Sequence, residues 1–340
     1  MNSSSNTPET PEPHHINDPA KDTQTSKVLS KSSIVMLVMT LVLAGVVACD
    51  VAMETNIVSS SWDPVLPSKY TNSGNDDVRE PTCSPSSVNL SNIEYHSDHR
   101  YYSILNDMTP LPPPVFRGDH TVLCNDSYGK DLSYEYCLPL SGRKDAPFCT
   151  GADRMDLLAP HSNQTRCYAS VLHMLLVEVY EVLHAFNKTP IVVFGSLLGA
   201  IRNGSMIPFT EDTDIAYSGQ LETDDNLGRA LMAKGYHFFP YGIWRVCVAP
   251  THPLASRLYD PTMPISGDYA VPYLDLYAME KLNETDWSME EFNNRILPAK
   301  KVEPFSQVTI NGLRFDTVHD PNYFLVKMYG DDYMTPKPRE

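Results

Sequence analysis

Positive charge is scarce in this chain. Its 340 residues carry 26 Lys and Arg against 42 Asp and Glu, a formal net charge of −16. Nucleic-acid binding needs a basic stripe, so this balance argues against that class of function. A phosphate site here must also lean on a metal ion and a few local cations. Zinc-type patterns are absent as well: there is no C-x-x-C and no Cys/His pair at ligand spacing. His173, His184 and His237 show no ligand spacing among themselves and read as structural or surface residues.

An apolar run does occur, Ile34 to Cys49, sixteen residues long. That is short of the roughly 20 residues that cross an average bilayer. With Ser32, Ser33 and Val51–Met53 recruited it suits a thinner ER or Golgi membrane. Lys21, Lys27 and Lys31 precede it, while Asp50 and Glu54 follow. The positive-inside rule then predicts a single-pass type II signal anchor over 33–53, a disordered cytosolic tail over 1–32, and a luminal remainder. A cleaved signal peptide ending near Val46-Val47-Ala48 is the rival, although the polar leader is long for one. Apart from Cys49, six cysteines remain: Cys83, Cys124, Cys137, Cys149, Cys167 and Cys247. An even number in an oxidising lumen implies disulfides, with 15 possible pairings. Sequons at Asn89, Asn125, Asn163, Asn187, Asn203 and Asn283 fit the same compartment, with Asn203 expected to stay unmodified.

Residues 54–155 are rich in Pro, Ser, Asn and Asp and read as a luminal stem with a small Cys-containing region. The body is expected over 156–340. Apolar residues recurring at three and four from Gln164 to Phe186 predict an amphipathic helix, ended by Asn187 and Pro190. Ile191–Phe194 predicts a short buried strand, Leu197–Arg202 a helix, and Asp212–Tyr217 a strand. Leu227–Lys234 predicts a helix ending at Gly235, and 241–249 and 271–279 predict two strands. The fold class is therefore α/β (α+β), a small mixed sheet flanked by helices.

The chemistry concentrates in residues 194–215. Asp212 and Asp214 stand two apart on a strand and so share a face. Two carboxylates there repel each other unless a divalent cation lies between them, with Mg²⁺ the usual choice where phosphate completes the shell. Gly195-Ser196, at a helix start, can offer backbone N–H groups and a hydroxyl to phosphate. Asp275 sits in the apolar strand Tyr273-Leu274-Asp275-Leu276-Tyr277 and is the natural third ligand or general base. Trp244 and Arg245 could stack a base and clamp a phosphate, but a strand Trp in the core with an Arg at its edge is the commoner arrangement. Lys300-Lys301 reads as a solvated pair, and Asp331-Asp332 as a helix end.

At this point the sequence resembles a known family. Gly195-Ser196, then Asp-x-Asp at 212–214, then a downstream strand Asp is the nucleotidyltransferase-fold pattern. More narrowly, Phe194-Gly-Ser-Leu-Leu-Gly-Ala-Ile-Arg202 and Met206-Ile-Pro-Phe-Thr-Glu-Asp-Thr-Asp-Ile215 resemble the LicD/fukutin-related phosphotransferases. Met328-Tyr329-Gly330 through Met334-Thr335-Pro336 is similar to that family's closing block. The resemblance implies transfer of a phospho-alcohol, such as phosphocholine or ribitol phosphate, from a CDP-linked donor to a glycan hydroxyl, with Mg²⁺ or Mn²⁺. It implies Gly195, Ser196 and Arg202 for the nucleotide's phosphates, Asp212 and Asp214 for metal, and Asp212, Asp214 and Asp275 for catalysis. Thr210 stands where the family has an acid, Phe209 where it has Trp, and Thr213 where it has an aliphatic residue. Two other readings stay open: a sugar-nucleotide glycosyltransferase using Asp-x-Asp, and a non-catalytic membrane-anchored binding protein on the same fold.

Overall fold

Period-two alternation builds the central sheet and gives it two unlike faces. The computed structural model describes residues 80–125, 133–162, 164–222, 225–292 and 295–336, which belong to the unit Asp77–Glu340. The expected tail, the anchor and the first part of the stem lie outside the described residues, as does the Asn163 sequon. Among the described residues no helix is long and apolar enough to cross a membrane.

The described residues open with β1 (Thr82–Cys83), helix α1 (Arg100–Asp107) and β2 (Phe116–Arg117), with β1 and β2 paired antiparallel. Helix α2 (Tyr168–Ala185) leads to β3 (Ile191–Val192), α3 (Phe194–Asn203), β4 (Asp212–Ser218) and α4 (Asn226–Ala233). Next come β5 (Tyr236–Tyr241), β6 (Ile243–Val248), the one-turn α5 (Ala255–Leu258), β7 (Tyr273–Lys281), β8 (Asp286–Met289) and β9 (Ile296–Pro298). The one-turn α6 (Ala299–Val302), a hairpin of β10 (Ser306–Ile310) and β11 (Leu313–Thr317), and α7 (Pro321–Tyr329) close the order. The main sheet runs β3-β4-β7-β6-β5, with β8 pairing to β7 and β9 to β8. Among the described residues only β4 and β7 are parallel within it. This is the mixed sheet with flanking helices that the sequence predicts.

Two local differences have clear causes. The helix expected from Gln164 begins at Tyr168, because Cys167 is tied to Cys149 and takes the extended cap position. The strand expected over 241–249 is the second arm of a hairpin whose first arm, β5, went unrecognised. Gly242, at φ +79°, makes the tight turn between them.

One sheet face is sealed. Ile215, Val246, Leu274 and Leu276 pack against Leu172, Leu175, Leu176 and Val179 of α2 in the largest core. That helix is buried on nearly every side rather than on one stripe. The second cover comes from Tyr101, Leu105, Leu123, Leu138 and Leu140, so residues from 80 onward join the main core. Packing therefore crosses the line drawn at 155/156, and two disulfides cross it too, Cys137–Cys247 and Cys149–Cys167; the third is Cys83–Cys124. Inside α2, buried Glu178 meets Lys234 Nζ at 2.9 Å, with Arg154 Nη1 at 3.9 Å. A buried carboxylate needs such partners. The opposite face packs α3 and α7 over β3, β4 and β7 through Leu197, Ala216, Tyr277 and Phe324.

Candidate active site

Parallel register brings the acids together. Asp214 on β4 lies directly beside Asp275 on β7, and Arg245 on β6 lies beside Asp275 in turn. The three form one row across the sheet, on the face away from α2. Asp212, two residues before Asp214, shares that face. Ligand oxygens of Asp212, Asp214 and Asp275 lie within 4.8 Å of one another.

Asp214 and Asp275 are buried and Asp212 is half-buried. Burial raises Asp214 well above the usual carboxylate range, and the charges of Asp212 and Asp275 push the same way. Burial lifts Asp275 to about 6, against the pull of Arg245. Arg245 Nε stands 2.7 Å from Asp275 Oδ1 as an ion pair, yet that oxygen receives no in-line hydrogen bond. The cluster thus has more negative charge than its protein donors neutralise. A divalent cation fits this donor set, since hard cations take carboxylate oxygens.

The Gly-Ser turn serves the strand. Phe194 opens α3 at φ +42°, a left-handed conformation that costs a bulky residue about 1–3 kcal/mol. The turn aims Ser196 N at Asp214 Oδ2, 3.1 Å away. Ser196 Oγ accepts from Asp214 N at 2.7 Å and bonds Thr213 Oγ1 at 2.7 Å. The Ser196 hydroxyl thus also ties the start of α3 to β4. Gly195 does line the cavity, and a Cβ there would stand 3.0 Å from Asp214 Oδ2.

A cavity of about 830 Å³ opens above the acids. Gly195, Asp212, Asp214, Asp275 and Arg245 line its polar side. Leu198, Ile207, Ile243 and Met328 line the rest, with Phe209, Tyr241, Tyr269, Tyr329 and Tyr333. Arg202 lines it too, but its guanidinium grips backbone: Nε donates to Tyr333 O at 2.8 Å, and Nη2 to Tyr333 O and, at 3.3 Å, to Thr335 O. Arg202 thus also ties the C-terminal block to α3 from the cavity wall. Thr210, standing where an acid was expected, donates its hydroxyl to Asp212 Oδ1. Glu211, the remaining acid of that loop, pairs with Lys144 at 2.8 Å.

Other sequence candidates fall elsewhere. Trp244 lies on the α2 side of the sheet, stacked on Phe238 with ring centroids 4.3 Å apart. Lys301 pairs with Asp320 at 2.6 Å. Asp331 and Asp332 do not line the cavity, whereas their neighbours Tyr333 and Thr335 do. His173 and His237 are buried. Sequence reasoning assigned no role to Tyr277, whose hydroxyl lies 3.2 Å from Asp214 Oδ1 and 3.2 Å from Asp275 Oδ2. Its signal was available: it is two residues past Asp275, hence on the same face.

Residues 188–317 match the family described as LicD/FKTN/FKRP, nucleotidyltransferase domain. The chain carries a LicD-type domain. The match takes in Gly195, Ser196, both members of the Asp-x-Asp pair and Asp275, so the convergent acids fall within the family's own span. It stops short of Tyr329–Thr335, which nevertheless completes the cavity wall. No curated protein matches the chain. The LicD domain points to a transferase with phosphotransferase-like chemistry.

Proposed function

We propose that this protein transfers a phospho-alcohol, of phosphocholine or ribitol-phosphate type, from a CDP-linked donor to a glycan hydroxyl on a glycoprotein or glycolipid. The convergence of Asp212, Asp214 and Asp275 on the floor of the LicD-domain cavity carries this reading. Asp212 and Asp214 would hold Mg²⁺ or Mn²⁺. When bound, the ion supplies charge neutralisation at the phosphate oxygens.

The chain's own groups account for the rest. Gly195, having no side chain, leaves the approach to Asp214 clear, while Ser196 fixes that carboxylate's orientation through its amide. Asp275 receives the proton of the acceptor hydroxyl as its oxygen forms the new bond to phosphorus. The phosphorus–oxygen bond to the nucleotide breaks at the same time, and CMP leaves. Arg245 holds Asp275 in place beside the attacking oxygen. Apolar and aromatic walls exclude water, which would otherwise compete as acceptor.

Three disulfides support an oxidising compartment, and the charge bias around residues 33–53 supports a type II anchor in the Golgi or ER membrane. The test is thermal shift on the full chain in detergent, wild type beside Asp212→Ala, with Mn²⁺ and CDP-, UDP- or GDP-linked ligands. Mn²⁺-dependent stabilisation by a CDP ligand, lost in the variant, is the expected result. Preference for UDP- or GDP-sugars would replace this reading with a glycosyltransferase, and no response to any ligand with metal would favour a binding protein.

A further inference from the structure

We propose that Tyr277 is a positioning residue whose hydroxyl sets the spacing of Asp214 and Asp275, so that a divalent cation meets a preassembled cluster. The inference rests on the reading above, in which that cluster takes Mg²⁺ or Mn²⁺. One phenol stands 3.2 Å from an oxygen of each acid, and the two acids come from different strands. With one proton to share, the hydroxyl bridges the pair and belongs to neither.

The fold builds this bridge deliberately. Tyr277 follows Asp275 by two residues, which puts both on one face. Its neighbour across β4 is Ala216, small enough for the ring to lean toward Asp214. Phe194 packs on the ring with centroids 4.6 Å apart, and Phe324 backs Phe194 at 5.4 Å. The phenol is thus wedged from behind and free to act only at its tip. The other acid contacts each reach a single acid: Thr210 on Asp212, Ser196 N on Asp214, Arg245 on Asp275. Tyr277 is the contact that ties β7's acid to β4's. A ring needed only for packing would have no use for the hydroxyl, since its ring neighbours are apolar.

Groups that orient first ligands typically change metal affinity 10- to 100-fold when removed. The experiment is Mn²⁺ titration followed by electron paramagnetic resonance, on full-chain wild type, Tyr277→Phe and Tyr217→Phe in detergent. Tyr217 lies on the opposite face of β4 and controls for loss of a buried hydroxyl. We expect Tyr277→Phe to bind Mn²⁺ about 10-fold or more weakly, with an altered bound-ion line shape, while Tyr217→Phe matches wild type. A purely structural hydroxyl would lower Tm and leave affinity and line shape alone. Wild-type binding with Tyr277→Phe within about twofold overturns this inference and leaves the proposed function standing. Failure of wild type to bind Mn²⁺ overturns both. If Tyr277→Phe does not fold, difluorotyrosine at 277 keeps ring and hydroxyl while strengthening the donor. A shift in Mn²⁺ affinity then supports the bridge, and an unchanged affinity overturns it.

Discussion

The two faces of β4 and β7 are written in the same strands, one residue apart, and they obey opposite rules. Thr213, Ile215, Leu274 and Leu276 turn toward α2 and are fully buried among apolar neighbours apart from the Thr213 hydroxyl, which Ser196 satisfies. Asp212, Asp214, Asp275 and Tyr277 turn the other way and crowd like charges into a poorly solvated row. Burial stabilises the first face and works against the second. The apolar face holds the strands in register firmly enough for the acidic face to be tolerated. Stability and chemistry are divided by side of the sheet rather than by segment of the chain.

The hardest test of that division is Leu276→Ala. Its side chain is 0% exposed, and truncation should cost about 2–5 kcal/mol. Denaturation should show that loss, while Mn²⁺ affinity per folded molecule stays at the wild-type value. A large affinity change would mean that the faces are not separable.

Acid should separate them next. Burial holds His173 and His252, both on the α2 side, neutral, with pKa values lowered to about 3. Their Nδ1 atoms accept backbone N–H groups of Arg154 and Leu254. Unfolded histidine titrates near 6.5, so below that pH the unfolded chain binds more protons and stability falls. Between pH 7 and 5 each should cost about 2 kcal/mol. The raised acids of the other face act in the opposite sense, since the folded form takes up their protons first. His252→Asn, which keeps an acceptor, should remove about 2 kcal/mol of acid sensitivity, read as Tm at the two pH values. An unchanged pH dependence would assign the effect elsewhere.

The smallest expected effect is a gain. Asp214→Asn removes one of three clustered carboxyl groups and should raise metal-free stability by about 1 kcal/mol, the usual sign for a functional site relieved of its strain. It should also abolish stabilisation by Mn²⁺. A loss of metal-free stability would mean that the charge is needed for folding.

Much of the acidic face was legible in sequence because its signal is local. Asp212 and Asp214 reveal a shared face through spacing alone, and the Gly195-Ser196 turn marks where a helix must start. What escaped was long-range. Arg202 finds its partners in backbone carbonyls of Tyr333 and Thr335, atoms that every residue has and that leave no trace in residue type. The joining of α1, Leu123 and Leu138 to the main core depends on short stretches too polar on average to look like core. The disulfide pairs were open among fifteen because spacing does not encode which strands will meet. Tyr277 was visible as a strand aromatic, but its bridge requires the register of β4 against β7.

That register has a consequence for how such a protein can change over time. Asp214 and Asp275 stand side by side because two neighbouring strands run parallel in this register, while the chain between Ser218 and Tyr273 leaves β4, adds Tyr241, Ile243, Arg245 and Tyr269 to the cavity, and returns as β7. Insertions in loops of that excursion would lengthen the journey without moving its endpoints. A single residue gained or lost inside either strand would turn one acid to the opposite side and erase the site at a stroke. Lineages descended from such an ancestor should therefore vary in length in the loops outside the cavity, and hardly at all within the strands that build it.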